Sequence, residues 1–173
     1  MMEQEKMTLA HLSDFSQIDA LFEECKASLL NQRIFQWDET YPNSDYLREV
    51  IIEKEMFALK IGDSVMGALV LNEWQSPEWN AINWNHPDEA ALVLHSFCVH
   101  PSVQNHGFGK KMLQFAEAFA KENGFVTIRL DAYSGNESAL RFYEKSGYTK
   151  TGEVFFSSKP AGHEVYYCFE KKL

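Results

Sequence analysis

Gln104-Asn-His-Gly107-Phe-Gly109 is the stretch on which the fold turns. It follows an apolar run, Ala91 to Val99, and precedes a segment of helical period from about Phe108 to Glu122 that stops at Asn123-Gly124. Strand, glycine loop and helix in that order bring unpaired backbone N–H groups and the positive end of a helix dipole to one place, a candidate anion site. Glycine at 107 and 109 removes the Cβ atoms that would hold a phosphate away from the amides, and Lys110 and Lys111 add charge at the rim. A dinucleotide fingerprint would want a third glycine where Met112 stands. A P-loop would want glycine in place of Gln104 and serine or threonine in place of Lys111, so both familiar nucleotide motifs fail.

Downstream, Phe125 to Ala132 reads as a strand, Glu137 to Lys145 as a helix, and Tyr148 to Phe156 and Val165 to Glu170 as two closing strands. Upstream, Ser13 is expected to cap a helix whose apolar positions Ile18, Leu21, Phe22, Cys25, Leu29 and Leu30 run to about Asn31, and a second helix starts at Ser44. Met56 to Ile61 and Val65 to Leu71, joined by Gly62-Asp63-Ser64, form a hairpin signal. Two stretches are left as connections: Arg33 to Pro42, rich in aromatic residues, and a long loop from Trp74 to Glu89. The strand-helix-strand-helix centre implies a mixed sheet with a parallel pair in its middle. No linker or repeat interrupts the chain, so residues 1–173 are expected to form a single domain.

The formal charge of −9 repels phosphate backbones and favours cationic ligands, so nucleic acid is not an expected partner. Cys25, Cys98 and Cys168 are odd in number and far apart, which suggests neither a disulfide framework nor a zinc site and fits a reducing, cytoplasmic compartment. No apolar run approaches the roughly 18 residues of a membrane span, and the first seven residues, Met1 to Met7, include Glu3, Glu5 and Lys6. The histidines show no metal-ligand spacing, so no metal is expected.

The loop, Q-x-x-G-x-G after a strand ending Leu94-His-Ser-Phe-Cys-Val-His-Pro101, resembles the acetyl-CoA loop of the GNAT superfamily of N-acetyltransferases. The stretch Asn136-Glu-Ser-Ala139-Leu-Arg-Phe142-Tyr143-Glu-Lys-Ser-Gly147-Tyr148 is similar to that family's second signature, N-x-x-A-x-x-F-Y-x-x-x-G-F/Y. The resemblance implies an α/β fold: a mixed, mostly antiparallel sheet with a central, splayed parallel strand pair flanked by helices. It also implies transfer of the acetyl group of acetyl-CoA to a primary amine, of a small molecule or of a peptide or protein, by direct attack in a ternary complex. The alternative is a non-catalytic acyl-CoA sensor or interaction module that kept the loop and lost the chemistry.

Carried over residue by residue, the resemblance places the coenzyme pyrophosphate on the backbone of Gln104, Asn105, His106, Gly107, Phe108 and Gly109, with Lys110 beside it. Phe97, Cys98 and Val99 match the strand that offers backbone groups to the pantetheine arm and an N–H to the thioester carbonyl. Such a donor can be worth roughly 3 to 4 kcal/mol to a developing oxyanion. Tyr143 matches the family's general acid, near the departing sulfur, and Asn136 is a helix cap that also matches a coenzyme contact.

A lysine-like amine is neutral in only about one molecule in 2,500 at pH 7, so a base or a water relay is needed. His95, four residues before Val99, stands where some members also have histidine, and Glu73, at the end of the second hairpin strand, is its rival. The acceptor's identity stays open, as does the choice between monomer and homodimer.

Overall fold

Continuous apolar runs, buried on both faces, build the first half of the sheet, in which β2 (Met56–Ile61) and β3 (Ser64–Asn72) pair antiparallel around the turn at Gly62. The structure, a computed structural model, describes residues 3–173; Met1 and Met2, the first residues of the charged start, lie outside them. Seven strands pair in the order β1 (Glu5–Leu9), β2, β3, β4 (Ala91–Val99), β5 (Thr127–Tyr133), β7 (Val165–Lys172) and β6 (Thr149–Phe155). Antiparallel registers join β1 to β2, β2 to β3, β5 to β7 and β6 to β7. The parallel pair is β4–β5, with Ala91 opposite Thr127 and Val93 opposite Arg129. Four helices accompany the sheet: α1 (Phe15–Asn31), α2 (Ser44–Ile52), α3 (Phe108–Glu122) and α4 (Glu137–Lys145).

Two compact units make up the chain. One takes in the residues up to Arg33, Trp37–Leu71 and His95–Ala116; the other takes in Ile34–Gln36, Asn72–Leu94 and Glu117–Leu173. The core of the first joins Ile18, Leu21 and Phe22 of α1 and Leu47, Val50 and Ile51 of α2 to Met56, Ala58, Ala68 and Val70 of the hairpin, with Trp37 packed against them. Gly67 is required there: a Cβ would lie 2.8 Å from Met112 Sδ and 3.1 Å from the Cys98 carbonyl, where α3 and β4 press on β3. The core of the second gathers Trp79, Val93, Tyr133, Val154, Tyr166 and Cys168, with Ile34, Ile82, Trp84 and Phe156 against it.

One expectation is corrected, and two elements are added. Ser13 does not cap α1: it lies in a short helical turn, Leu12–Asp14, and α1 starts at Phe15. Asp14 turns back instead, accepting from the His11 N–H at 3.0 Å and from Lys60 Nζ at 2.7 Å. The charged start also contains a strand, β1, that the sequence pattern did not single out. The long loop after β3 is ordered by a helical turn, Pro77–Ala81, that buries Trp79.

Candidate active site

In the first unit, β4 breaks its regularity at Ser96, whose φ of 49° is left-handed although it is not glycine. Its hydroxyl is buried and lies 2.6 Å from Tyr41 Oη and 3.0 Å from Tyr46 Oη. His95 and Phe97 flank it, both half-buried. Cys98 faces the core, where burial foremost and the neighbouring Cys25 thiol hold its own thiol well above the usual range. The Val99 carbonyl accepts from Gln104 Nε2 at 3.0 Å and from Cys25 Sγ at 3.5 Å. The Gln104 side chain therefore closes the turn back onto β4.

The loop then passes through two left-handed residues, Asn105 at φ 65° and Gly107 at φ 84°, before α3 begins at Phe108. Nothing lies within 4 Å of where a Gly107 Cβ would project, so the loop's outer side is open. Gln104, Asn105, His106, Gly107 and Lys110 are exposed, Phe108 and Gly109 half-buried. The first turn of α3 carries no acidic residue, leaving the positive helix end uncompensated and fit for an anionic phosphate. Lys110 and Lys111 are both exposed, and Lys111 forms an ion pair with Glu5 of β1.

In the second unit, Tyr143 of α4 is buried among Phe142, Tyr148 and Phe169, at ring distances of 5.3, 5.9 and 6.0 Å. Burial first, and the Asp131 charge second, push its phenol well above the ordinary tyrosine value. Asn136 caps α4, its Oδ1 accepting from the Ala139 N–H at 3.1 Å, while its Nδ2 donates to Gln36 Oε1 at 2.8 Å. The Gln36 carbonyl in turn accepts from Lys159 Nζ and Tyr166 Oη. Glu73 follows β3 and is exposed.

Asp131, on β5, is a residue the sequence reading missed. Its Oδ2 accepts from Trp79 Nε1 at 2.9 Å. Burial foremost, with Glu78 adding to it, raises its carboxyl to about 6 against the lowering pull of the Trp79 hydrogen bond and the Lys159 charge. The available signal was a lone acid between Leu130 and Ala132 in a strand, on the face it shares with Thr127, Arg129 and Tyr133. On that face Arg129 Nε donates to Glu170 Oε2 at 2.9 Å, with both side chains almost wholly buried. Arg129 also stacks on Trp84 at 4.3 Å and donates to the His86 carbonyl, and Glu170 Oε1 accepts from the Asn85 and His86 N–H groups. This clamp orders the loop between β3 and β4. Trp37, Trp79 and Trp84 are thus packing residues, while Trp74 stays exposed.

Among the described residues no group of three His, Cys, Asp or Glu side chains could hold a metal, and no helix is long and apolar enough to cross a membrane.

The model of the acetyltransferase (GNAT) family matches residues 19–148. The uncharacterized N-acetyltransferase YesJ of Bacillus subtilis (strain 168) is 27% identical over 112 residues, which are 64% of this chain and 58% of that protein. The matched part of the chain thus spans little more than half the length of this curated relative. Among solved structures, a GNAT-family acetyltransferase from Streptococcus agalactiae 2603 superposes with a TM-score of 0.82 at 18% identity, over 100% of this chain and 98% of that one. The PaiA N-acetyltransferase from Thermoplasma acidophilum, solved in complex with coenzyme A, gives 0.74 at 16% identity over 98% and 99%. At these identities the structures speak for the fold.

Proposed function

The chain belongs to the GNAT family of acetyltransferases, and from that premise we propose that it moves the acetyl group of acetyl-CoA to a primary amine. The observation that carries this reading is the loop between β4 and α3, where left-handed Asn105 and Gly107 lead into a helix end free of acidic residues. Backbone amides of Gln104–Gly109, with Lys110, would take the pyrophosphate there. The coenzyme A complex of the Thermoplasma relative supports the choice of ligand.

The amine nitrogen bonds to the thioester carbon, the carbon–sulfur bond breaks, the amine's surplus proton passes to a base, and the thiolate gains one to leave as free coenzyme A. Backbone N–H groups of Phe97–Val99 polarise the carbonyl. His95, half-buried on β4 beside them, takes the proton more directly than Glu73, which is exposed. Tyr143 donates a hydrogen bond to the sulfur. The amine is of a small molecule or a peptide; an acidic chain of charge −9 suits a cationic acceptor. Three buried, unbridged thiols agree with a reducing, cytoplasmic setting.

The test is calorimetric titration with acetyl-CoA, with ATP and NAD as controls, followed by thiol release over a panel of amines. Micromolar binding of acetyl-CoA alone, with turnover on at least one amine, is expected. Binding without turnover or slow hydrolysis would favour an acyl-CoA sensor, and no binding would overturn the reading of the loop.

A further inference from the structure

A left-handed residue that is not glycine persists only where its surroundings hold it, and β4 has one at Ser96, in mid-strand and buried. The hold is visible. Two phenols converge on its hydroxyl, Tyr41 at 2.6 Å and Tyr46 at 3.0 Å, their rings 5.0 Å apart. Each phenol is itself placed by a local device. Asp38 Oδ1 accepts from the N–H groups of Thr40 and Tyr41 and fixes the turn before α2. Asn43, the N-cap of α2, accepts from the Tyr46 N–H at 2.9 Å. At the other end of the same segment, Gln104 Nε2 pins the Val99 carbonyl. Residues 96–99 are thus held at both ends by side-chain hydrogen bonds.

We propose that Tyr41 and Tyr46 are positioning residues which, through the Ser96 hydroxyl, keep β4 in its left-handed turn and so aim the Phe97–Val99 amides at the acyl carbonyl. This rests on the acetyl-CoA reading above. It separates the hydroxyls' task from contact with the substrate: they hold by hydrogen bonds a backbone conformation that glycine would adopt without steric penalty. Ser96→Gly and Ser96→Ala therefore part ways. Both lose the hydroxyl, but only alanine meets the steric penalty of a positive φ.

The experiment is isotope-edited infrared spectroscopy of [1-13C]acetyl-CoA bound to the native protein and to three variants, with calorimetry establishing saturation. The native complex should show the carbonyl band displaced to lower frequency than in free acetyl-CoA, the mark of a polarising donor. Ser96→Ala and Tyr46→Phe should return the band toward its free position, and Ser96→Gly should keep the native displacement. A purely structural role would lower thermal stability without moving the band. If Ser96→Ala fails to fold, Tyr46→Phe, which keeps the ring and its packing, carries the test. A native band in Tyr46→Phe or Ser96→Ala overturns the proposal. So does a free band in Ser96→Gly, which would put the hydroxyl itself on the substrate, and so does an undisplaced band in the native complex. Failure of the native protein to bind acetyl-CoA removes the parent reading instead, and the positioning role with it.

Discussion

Asp131→Asn should stabilise the fold, by an amount that depends on pH. The carboxyl is raised from 3.8 to about 6, chiefly by burial, so the folded chain at neutral pH carries a charge that its surroundings disfavour. The sign follows from linkage. The native state holds the proton more tightly than the unfolded state, so ionisation costs stability above pH 6, and that cost fades as the pH falls toward the unfolded value. A difference of about two units at about 1.4 kcal/mol each makes the cost about 3 kcal/mol at pH 8. By the same linkage it falls to about half of that at pH 5 and to a small remainder at pH 4.

Asparagine keeps the acceptor for Trp79 Nε1 and drops the charge. Denaturant unfolding of both chains at pH 8, 6, 5 and 4 should give a gap that shrinks along that curve, on top of a constant offset from the new amide. A gap independent of pH would refute the reasoning, because the offset alone cannot titrate. Lower turnover in the stabler variant would mark the charge as one kept for function.

Arg129→Met leaves Glu170 buried without its guanidinium partner and should cost about 3 to 5 kcal/mol, or about 6 to 20 °C in Tm, with Arg129→Met/Glu170→Met recovering most of it in a calorimetric scan. Tyr143→Phe should lower kcat at least roughly tenfold with acetyl-CoA affinity little changed, and unchanged turnover across pH would refute its role. For Asp14, burial raises the carboxyl but the Lys60 and His11 hydrogen bonds outweigh it, so its folded pKa is lowered. Its stabilisation is therefore present above the unfolded carboxylate pKa and lost as pH falls through the folded one. Asp14→Asn should be about 1.5 to 3 kcal/mol less stable at neutral pH, a gap that closes in acid unfolding curves.

The centre of the fold was legible because its signals are local. The glycines at 107 and 109, the apolar run of β4 and the helical period of α3 all act within about one element's length of one another. The parallel placement of β4 and β5 followed from their order around α3. What the sequence hid depends on partners far along the chain. β1 has five residues, charged at its start, and its pairing partners lie at Phe57–Ile61. Ser13 looked like a cap until Lys60 claimed Asp14. No sequence pattern joins Tyr41, Tyr46 and Ser96; their convergence depends on the turn at Asp38 and the cap at Asn43, together with the path of β4. Asp131 showed only as a polar interruption of a strand, and its shifted proton depends on burial beside Trp79.

Burial also revises how Tyr143 should act. With ordinary values, moving its proton to a thiolate is uphill by only about 2 kcal/mol, and each unit added to the phenol pKa adds about 1.4 kcal/mol more. Burial and the Asp131 charge add to it, so complete transfer becomes the costly route. A hydrogen bond to the developing thiolate needs no transfer, and a donor in a dry, low-dielectric place stabilises that charge more than one in water does. The Asp131 charge works against both routes, since it raises the phenol that would serve the sulfur. Protonation of Asp131 near pH 6 would relieve this, while a neutral attacking amine is favoured by higher pH. The two demands oppose each other, so the pH dependence of the transfer should reflect the titration of both Asp131 and the attacking amine.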